Sequence, residues 1–289
     1  MKQQMAPIGL VAILCAGVIV MANNPLFAEI AFGPNITIVG VEKKPSAQVY
    51  DLSWPAQREQ WRTTNAFAVV PDNSPAGPGI LYFHQLGMQR DRKQFLAEAL
   101  VLAKSGIRSV LINGNAPWSE GWKGTAEDAQ MIDSQMADID VAIEILKQIP
   151  GTDPARLAFV GHDYGAMFGA LLYAKPSPIK AFALIAAAPE FADWIFFFNA
   201  VAANDKPAYT RLLGNRNPLT ALSRSTGVPV LLQFAENDTF VAKARADALI
   251  SVAKDATAQF IPATSHNGIA LKGKDQRLAW LLPLLGIHN

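Results

Sequence analysis

A run of four apolar residues, Leu157-Ala158-Phe159-Val160, ends in Gly161-His162-Asp163-Tyr164-Gly165, and a helical pattern over Ala166–Ala174 begins directly after it. A stretch that is apolar at every position and bounded by turn residues suits a central parallel strand buried on both faces. Passing from such a strand into a helix within a few residues demands a sharp turn. The turn strains its central residue and leaves little room for side chains beside it, so glycine stands on both sides of Asp163. The same geometry lifts the Asp163 side chain above the sheet, at the N-terminus of the next helix. Unpaired N–H groups and the positive end of the helix dipole favour an anion there, so the carboxylate is expected to be ionised at neutral pH. Gly169, one helical turn on, would let the helix approach the strand closely.

Short apolar runs alternate with longer amphipathic patterns through most of the chain, which predicts an α/β fold with a mostly parallel central sheet flanked by helices. Strands are expected at Ala66–Val70, Ile80–His84, Ser109–Asn113, Leu157–Gly161, Ala181–Ala187, Val228–Phe234 and Gln259–Pro262. Helices are expected at Lys93–Lys104, Glu127–Gln148, Ala166–Ala174, Ala242–Ala253 and Gln276–Leu284. The segment before residue 66 is expected to add antiparallel edge strands, with Ile36–Val41 the best candidate. In the helix from Glu127, the residues Met131, Ile132, Met136, Ile139, Ile143 and Leu146 recur at three- and four-residue steps, which assigns Asp128, Asp133, Asp138 and Lys147 to the opposite face. With 51% apolar and 17% charged residues among 289, the chain can bury a large core. A formal charge of +1, with the two signs interspersed, excludes the clustered basic footprint of a nucleic-acid partner.

One stretch breaks the alternation. Between Ala188 and Gly227 lie Phe191, Trp194, Phe196, Phe197 and Phe198, then polar residues with Pro207 and Pro218. Long excursions within a compact domain are commonly lids or binding loops. The stretch at about 188–227 is therefore expected to be a small cap over the carboxyl edge of the sheet; the alternatives are helices that merely pack on the domain, or an aromatic surface that docks on a membrane or a partner.

The N-terminus has its own character. Lys2 precedes an uncharged apolar run from Ala6 to Ala22, followed by Asn23-Asn24-Pro25 and small residues at Ala22 and Ala28. This is the pattern of a signal peptide over residues 1–28, somewhat short for a membrane span, with an N-terminal anchor through residues 6–22 as the alternative. The domain is then expected over residues 29–289, exported to the periplasm or secreted, with no stable membrane span once the leader is cut. The one cysteine, Cys15, lies inside the leader, so the remainder needs no disulfide.

Four loops that follow expected strands carry the chemistry. They are Tyr82-Phe83-His84-Gln85-Leu86-Gly87, Gly161–Gly165, Phe234-Ala235-Glu236-Asn237-Asp238-Thr239-Phe240-Val241, and Thr264-Ser265-His266-Asn267-Gly268. In this order and position the sequence resembles the α/β-hydrolase superfamily over nearly all of the expected mature chain, and the first loop with its following helix and strand looks most like the dienelactone-hydrolase-like branch. The resemblance implies the α/β-hydrolase fold, with Asp163 at the nucleophile elbow, Asp238 as the orienting acid and His266 as the base. It implies backbone N–H groups of Leu86 and Tyr164 as oxyanion donors. Serine stands at the elbow in most members; aspartate stands there in epoxide hydrolases and haloalkane dehalogenases. His84 and His162 read as structural hydrogen-bonders. No metal-ligand cluster and no dinucleotide-binding glycine pattern is present, so no cofactor is expected.

An aspartate at the elbow is already an anion and needs no base before it attacks. In-line attack on an sp³ carbon, displacing halide or opening an epoxide, leaves an alkyl ester on Asp163, and His266 with Asp238 then activates water to hydrolyse it. Attack on an ordinary ester would instead form a high-energy anhydride. The expectation is a hydrolase acting on a small apolar molecule, an epoxide, haloalkane or related electrophile. Two departures leave alternatives open. The oxyanion loop lacks the His-Gly-x-Pro of the Asp-nucleophile enzymes, and no motif places their electrophilic helper. Trp118, Trp122, Trp194 and Tyr209 are the candidates for the pocket. The alternatives are an esterase-like hydrolase of the dienelactone hydrolase type, and a binding protein that keeps the scaffold and pocket without the chemistry.

Overall fold

The computed structural model describes residues 30–58, 62–72, 74–87, 91–114, 123–193, 205–224, 226–254 and 256–288. The expected leader, Trp118, Trp122, Trp194 and residues 196–198 lie outside them. Nine strands form one sheet in the order β1-β2-β3-β5-β4-β6-β7-β8-β9. They are β1 (Thr37–Lys44), β2 (Ala47–Pro55), β3 (Thr63–Pro71), β4 (Gly77–Phe83), β5 (Arg108–Ile112), β6 (Thr152–His162), β7 (Ile179–Ile185), β8 (Val230–Ala235) and β9 (Ala256–Ile261). Pairing is antiparallel from β1 to β5 and parallel from β5 through β4, β6, β7 and β8 to β9.

The parallel half follows from composition. Strands β4, β5 and β8 are buried along their whole length, as their uninterrupted apolar runs require when helices cover both faces. On one face α1 (Leu96–Ala103) and the C-terminal helix α8 (Lys274–Leu284) bring Ala99, Leu102, Leu281 and Leu285 onto Ile80, Ala158, Val160, Ala183 and Leu231. On the other, α2 (Ala126–Gln148) and α3 (Tyr164–Tyr173) cover the sheet. There Leu146 of α2 fills the space beside Gly79, and Gly169 of α3 lies on Phe159 and Leu184. Each fully buried Leu, Ile or Phe stabilises this sandwich by about 1.5–3 kcal/mol.

Two features differ from the sequence expectation. Asp128 and Asp138 of α2 are completely buried instead of facing water, because α2 is flanked by protein on more than its sheet-facing side. Asp138 accepts from Thr64 Oγ1 at 2.8 Å, Arg62 at 3.2 Å and the Gln57 N–H at 3.2 Å; burial nevertheless raises its pKa. Asp128 accepts from the Gly124 N–H at 2.7 Å and the Tyr209 hydroxyl at 2.9 Å. The second feature is β2, an internal strand that buries Val49 and Leu52 on its two faces and was covered only by the general expectation of edge strands. The expected edge strand is present as β1. It is exposed along nearly its whole length, and a register shift between Ile38 and Gly40 together with Lys43 and Lys44 breaks up its free edge.

The described parts of the 188–227 stretch contain α4 (Lys206–Leu213) and α5 (Pro218–Leu222). Tyr209 reaches Asp128 on α2, and Arg216 grips Asp133 on α2 through two hydrogen bonds of 2.7 and 2.9 Å. Phe191 is buried edge-on to Tyr164 and Phe168 of α3. The remaining helices among the described residues are α6 (Lys243–Val252) and the short α7 (Ile269–Lys272), which leads into α8. Among the described residues no helix is long and apolar enough to cross a membrane.

Candidate active site

Strands β4, β6, β8 and β9 release their loops at the same carboxyl edge of the sheet, where open α/β folds form ligand crevices. Asp163 sits between β6 and α3 with φ 57° and ψ −114°. The flanking glycines are required sterically: a Cβ on Gly161 would lie 2.5 Å from the Gly165 carbonyl oxygen, and one on Gly165 would fall on the Phe83 carbonyl. The turn is fixed by the Asp163 N–H donating to Ile185 O at 2.7 Å and the Gly165 N–H to His84 O at 3.2 Å.

The three expected side chains meet. His266 Nδ1 lies 2.8 Å from Asp238 Oδ2, and His266 Nε2 lies 3.5 Å from Asp163 Oδ1. Asp238 is itself held by the N–H groups of Phe240 and Val241, each 2.8 Å from its Oδ1. The contact with Asp238 fixes the His266 ring so that Nε2 is turned to Asp163. The Phe240 ring lies 4.9 Å from that of His266. The Leu86 N–H donates to Asp163 Oδ2 at 2.9 Å. The expected oxyanion donor therefore already holds one oxygen of the Asp163 carboxylate.

Burial decides the electrostatics. Asp163 is 1% exposed, and desolvation raises its pKa against the opposing pull of His266 and of the Leu86 and Tyr164 N–H groups. The expectation of a carboxylate ionised by the helix N-terminus is corrected here: His266 and the Tyr164 N–H at the start of α3 both favour the anion, but burial outweighs them and raises the pKa. Burial pulls His266 down, but the hydrogen bonds and charges of Asp163 and Asp238 outweigh it and push its pKa up to about 9. His266 thus lies between Asp163 and Asp238, whose hydrogen bonds and charges favour its protonated form.

His84 and His162 are hydrogen-bonders, as expected. His84 Nδ1 lies 2.6 Å from Gln85 O and its Nε2 accepts from the Gly114 N–H at 2.7 Å. His84 is held neutral, its pKa lowered by burial. Sequence reasoning did not single out Gln85, Gln94 or Asn267. Gln85 Nε2 donates to Asn267 Oδ1 at 2.9 Å, and Gln94 bonds both Gln85 and His162. Gln85 stands where the Asp-nucleophile enzymes carry glycine, and this departure from their loop was the one available signal. Tyr209 is buried, with its hydroxyl committed to Asp128 at the start of α2. Among the described residues no group of His, Cys, Asp and Glu side chains is arranged to hold a metal ion.

No protein-family model and no curated protein matches the sequence. Solved structures do match. An acetyl xylan esterase from a Paenibacillus species superposes with a TM-score of 0.68 at 13% identity, over 86% of this chain and 89% of that one. Acetyl xylan esterase 1 from a Thermoanaerobacterium species gives 0.66 at 13% identity, over 87% and 88%. A cold-adapted esterase from an Arctic intertidal metagenomic library gives 0.57 at 17% identity, over 85% and 99%. At these identities the likeness is one of fold, and the fold is that of the α/β-hydrolases.

Proposed function

We propose that the chain is a hydrolase that opens a small apolar sp³ electrophile, an epoxide or haloalkane, through a covalent ester on Asp163. The observation that carries this reading is the division of labour between the two Asp163 oxygens. Oδ2 is bound by the Leu86 N–H and Oδ1 faces His266 Nε2. In-line attack by Oδ1 forms the Oδ1–carbon bond as the carbon–halogen or carbon–oxygen bond breaks, expelling halide or leaving the epoxide oxygen on the substrate as an alkoxide that takes the extra proton of His266. Oδ2 then becomes the ester carbonyl oxygen, already seated where negative charge develops in the second step.

The second step needs a base, and esterification supplies it. Once Asp163 is neutral, one of the two carboxylates that raise His266 is gone and burial acts on it more strongly. His266 sheds its extra proton and can accept one from water. The hydroxide equivalent adds to Asp163 Cγ. Collapse of the tetrahedral adduct expels the alkoxide, which takes the proton from His266; Asp163 is released as the carboxylic acid and passes its proton to His266, so that the carboxylate returns.

The esterase-like reading is favoured by the activities of the fold neighbours, acetyl xylan esterases among them. Against it, Asp163 attack on an ester gives an anhydride, and direct attack by water would find the Leu86 N–H occupied by Asp163 Oδ2. A pure binding protein would have no chemical need for an Asp238 carboxylate gripped by two backbone N–H groups behind the histidine.

The test is intact-mass analysis of the wild type and a His266→Gln variant after incubation with panels of epoxides and haloalkanes. The variant is expected to accumulate one covalent adduct mapping to Asp163, while the wild type turns over. An adduct-free variant that still binds panel members tightly would move the assignment to a binding scaffold. Ester hydrolysis lost on Asp163→Asn, with no alkyl adduct, would move it to an esterase.

A further inference from the structure

Two hydrogen-bonded paths join the loop that presents Leu86 to the loop that presents His266. In the first, the Gln85 N–H donates to Gln94 Oε1 at 2.7 Å, Gln94 Nε2 lies 2.7 Å from His162 Nδ1, and His162 Nε2 lies 3.0 Å from the His266 carbonyl oxygen. In the second, Gln85 Nε2 donates to Asn267 Oδ1 at 2.9 Å. The participants come from the loop after β4, the approach to α1, the end of β6 and the loop after β9. A carbonyl oxygen can only accept, so the His162 proton belongs on Nε2 and Nδ1 is left as the acceptor. Glutamine is then the side chain that fits position 94: its oxygen meets the Gln85 N–H and its nitrogen meets His162 Nδ1.

We infer that Gln94 and His162 are positioning residues that hold the Leu86 N–H and the His266 ring in one register around Asp163. The inference rests on the reading of Asp163 and His266 given above. Each end of the relay lies one peptide unit or less from a group that would act: Gln85 precedes Leu86, and the bonded carbonyl is that of His266 itself. The amide at position 94 has a second consequence. Among the described residues, the charged and titratable groups facing His266 include Asp163 from the elbow, Asp238 from the loop after β8 and His162 from β6, whose ring centroid lies 5.5 Å from that of His266. A protonated His162 would oppose the positive charge on His266. Donation from Gln94 keeps Nδ1 an acceptor and leaves the extra proton to His266.

Gln94→Glu isolates this effect, because it keeps an oxygen for the Gln85 N–H and presents a carboxylate to His162 Nδ1, drawing a proton there. Gln94→Leu removes both bonds. In the full chain labelled with ¹⁵N-histidine, wild-type His162 is expected to give the signature of a proton on Nε2 alone. Gln94→Glu is expected to protonate both ring nitrogens of His162 and to lower the His266 titration midpoint by about one pH unit through like-charge repulsion. In Gln94→Leu with the substrate that forms the Asp163 adduct, adduct hydrolysis is expected to slow about tenfold through lost alignment. A wild-type His162 carrying its proton on Nδ1 overturns the relay whatever the variants do. So does a Gln94→Glu spectrum with unchanged His162 and His266. The spectra need no turnover, so their failure counts against the relay, whereas absence of any adduct counts against Asp163 as nucleophile.

Discussion

Asp163 combines two costs that a structural residue would shed. Its backbone lies at φ 57°, where a non-glycine residue is strained by roughly 1–3 kcal/mol, and its carboxylate is buried. Both are tolerated because His266 and the Leu86 N–H compensate the charge at close range. His266 carries the pH dependence. Its pKa rises from the ordinary 6.5 to about 9 in the folded chain, so between these values the folded state binds more protons than the unfolded one. Stability from this group is therefore fully present below pH 6.5 and is lost as pH rises through about 9. Asp163→Asn removes one of the two carboxylates responsible. NMR titration is expected to find the His266 midpoint lowered in that variant, and denaturant midpoints measured across pH 6–10 are expected to show a smaller loss of stability, complete at lower pH than in the wild type. An unchanged midpoint would mean that Asp163 does not interact with His266 in solution.

The elbow constrains its elements unequally, and the three glycines of β6 and α3 can be ranked by what a methyl group would meet. At Gly161 and Gly165 it meets backbone: the Gly165 carbonyl for the first, the Phe83 and His84 carbonyls for the second. Neither neighbour can yield without moving the turn. At Gly169 it meets the Phe159 ring and a Leu184 methyl, which can shift at an overpacking cost of about 1–3 kcal/mol, offset in part by the better helix propensity of alanine. Chemical denaturation is expected to place Gly169→Ala nearest the wild type, with Gly161→Ala and Gly165→Ala less stable and unable to form the adduct. This hierarchy was partly legible in the sequence, since a strand, a bracketed turn and a helix leave few alternatives. The positions of β4 to β8 were legible for the same reason, since each contains a buried apolar run, whereas β9 is largely exposed and was expected only from Gln259. Two kinds of information were not. The burial of Asp128 and Asp138 depends on which segments flank α2, and helical periodicity describes only the face turned to the sheet. The Gln85–Gln94–His162 connections join loops far apart in the chain, and no local spacing encodes such a contact.

At the scale of the whole molecule, the helices leading away from two of the site's loops are tied together beneath the sheet. Arg277 of α8 is completely buried and lies 2.5 Å from Glu98 of α1 across 179 residues of sequence. Arg277 also donates to Gln233 Oε1 at 3.2 Å and to the Ala270 carbonyl at 3.0 Å, while the Tyr82 hydroxyl donates to Glu98 at 3.2 Å. Burial first, then the Glu98 charge, pushes the Tyr82 pKa well above its ordinary value, so the phenol remains a donor. A buried ion pair gains little over an apolar pair of similar volume, because desolvation cancels most of the attraction; removing one partner leaves a stranded charge. Arg277→Met is therefore expected to cost about 3–5 kcal/mol, read from the denaturant midpoint. The double variant Glu98→Leu with Arg277→Met is expected to recover most of that loss. Additive losses would show that the two residues stabilise the fold separately. Recovery of stability without recovery of adduct hydrolysis would show that the pair also fixes how α1 and α8 set the Leu86 and His266 loops, a role that a merely well-packed apolar substitute does not fill.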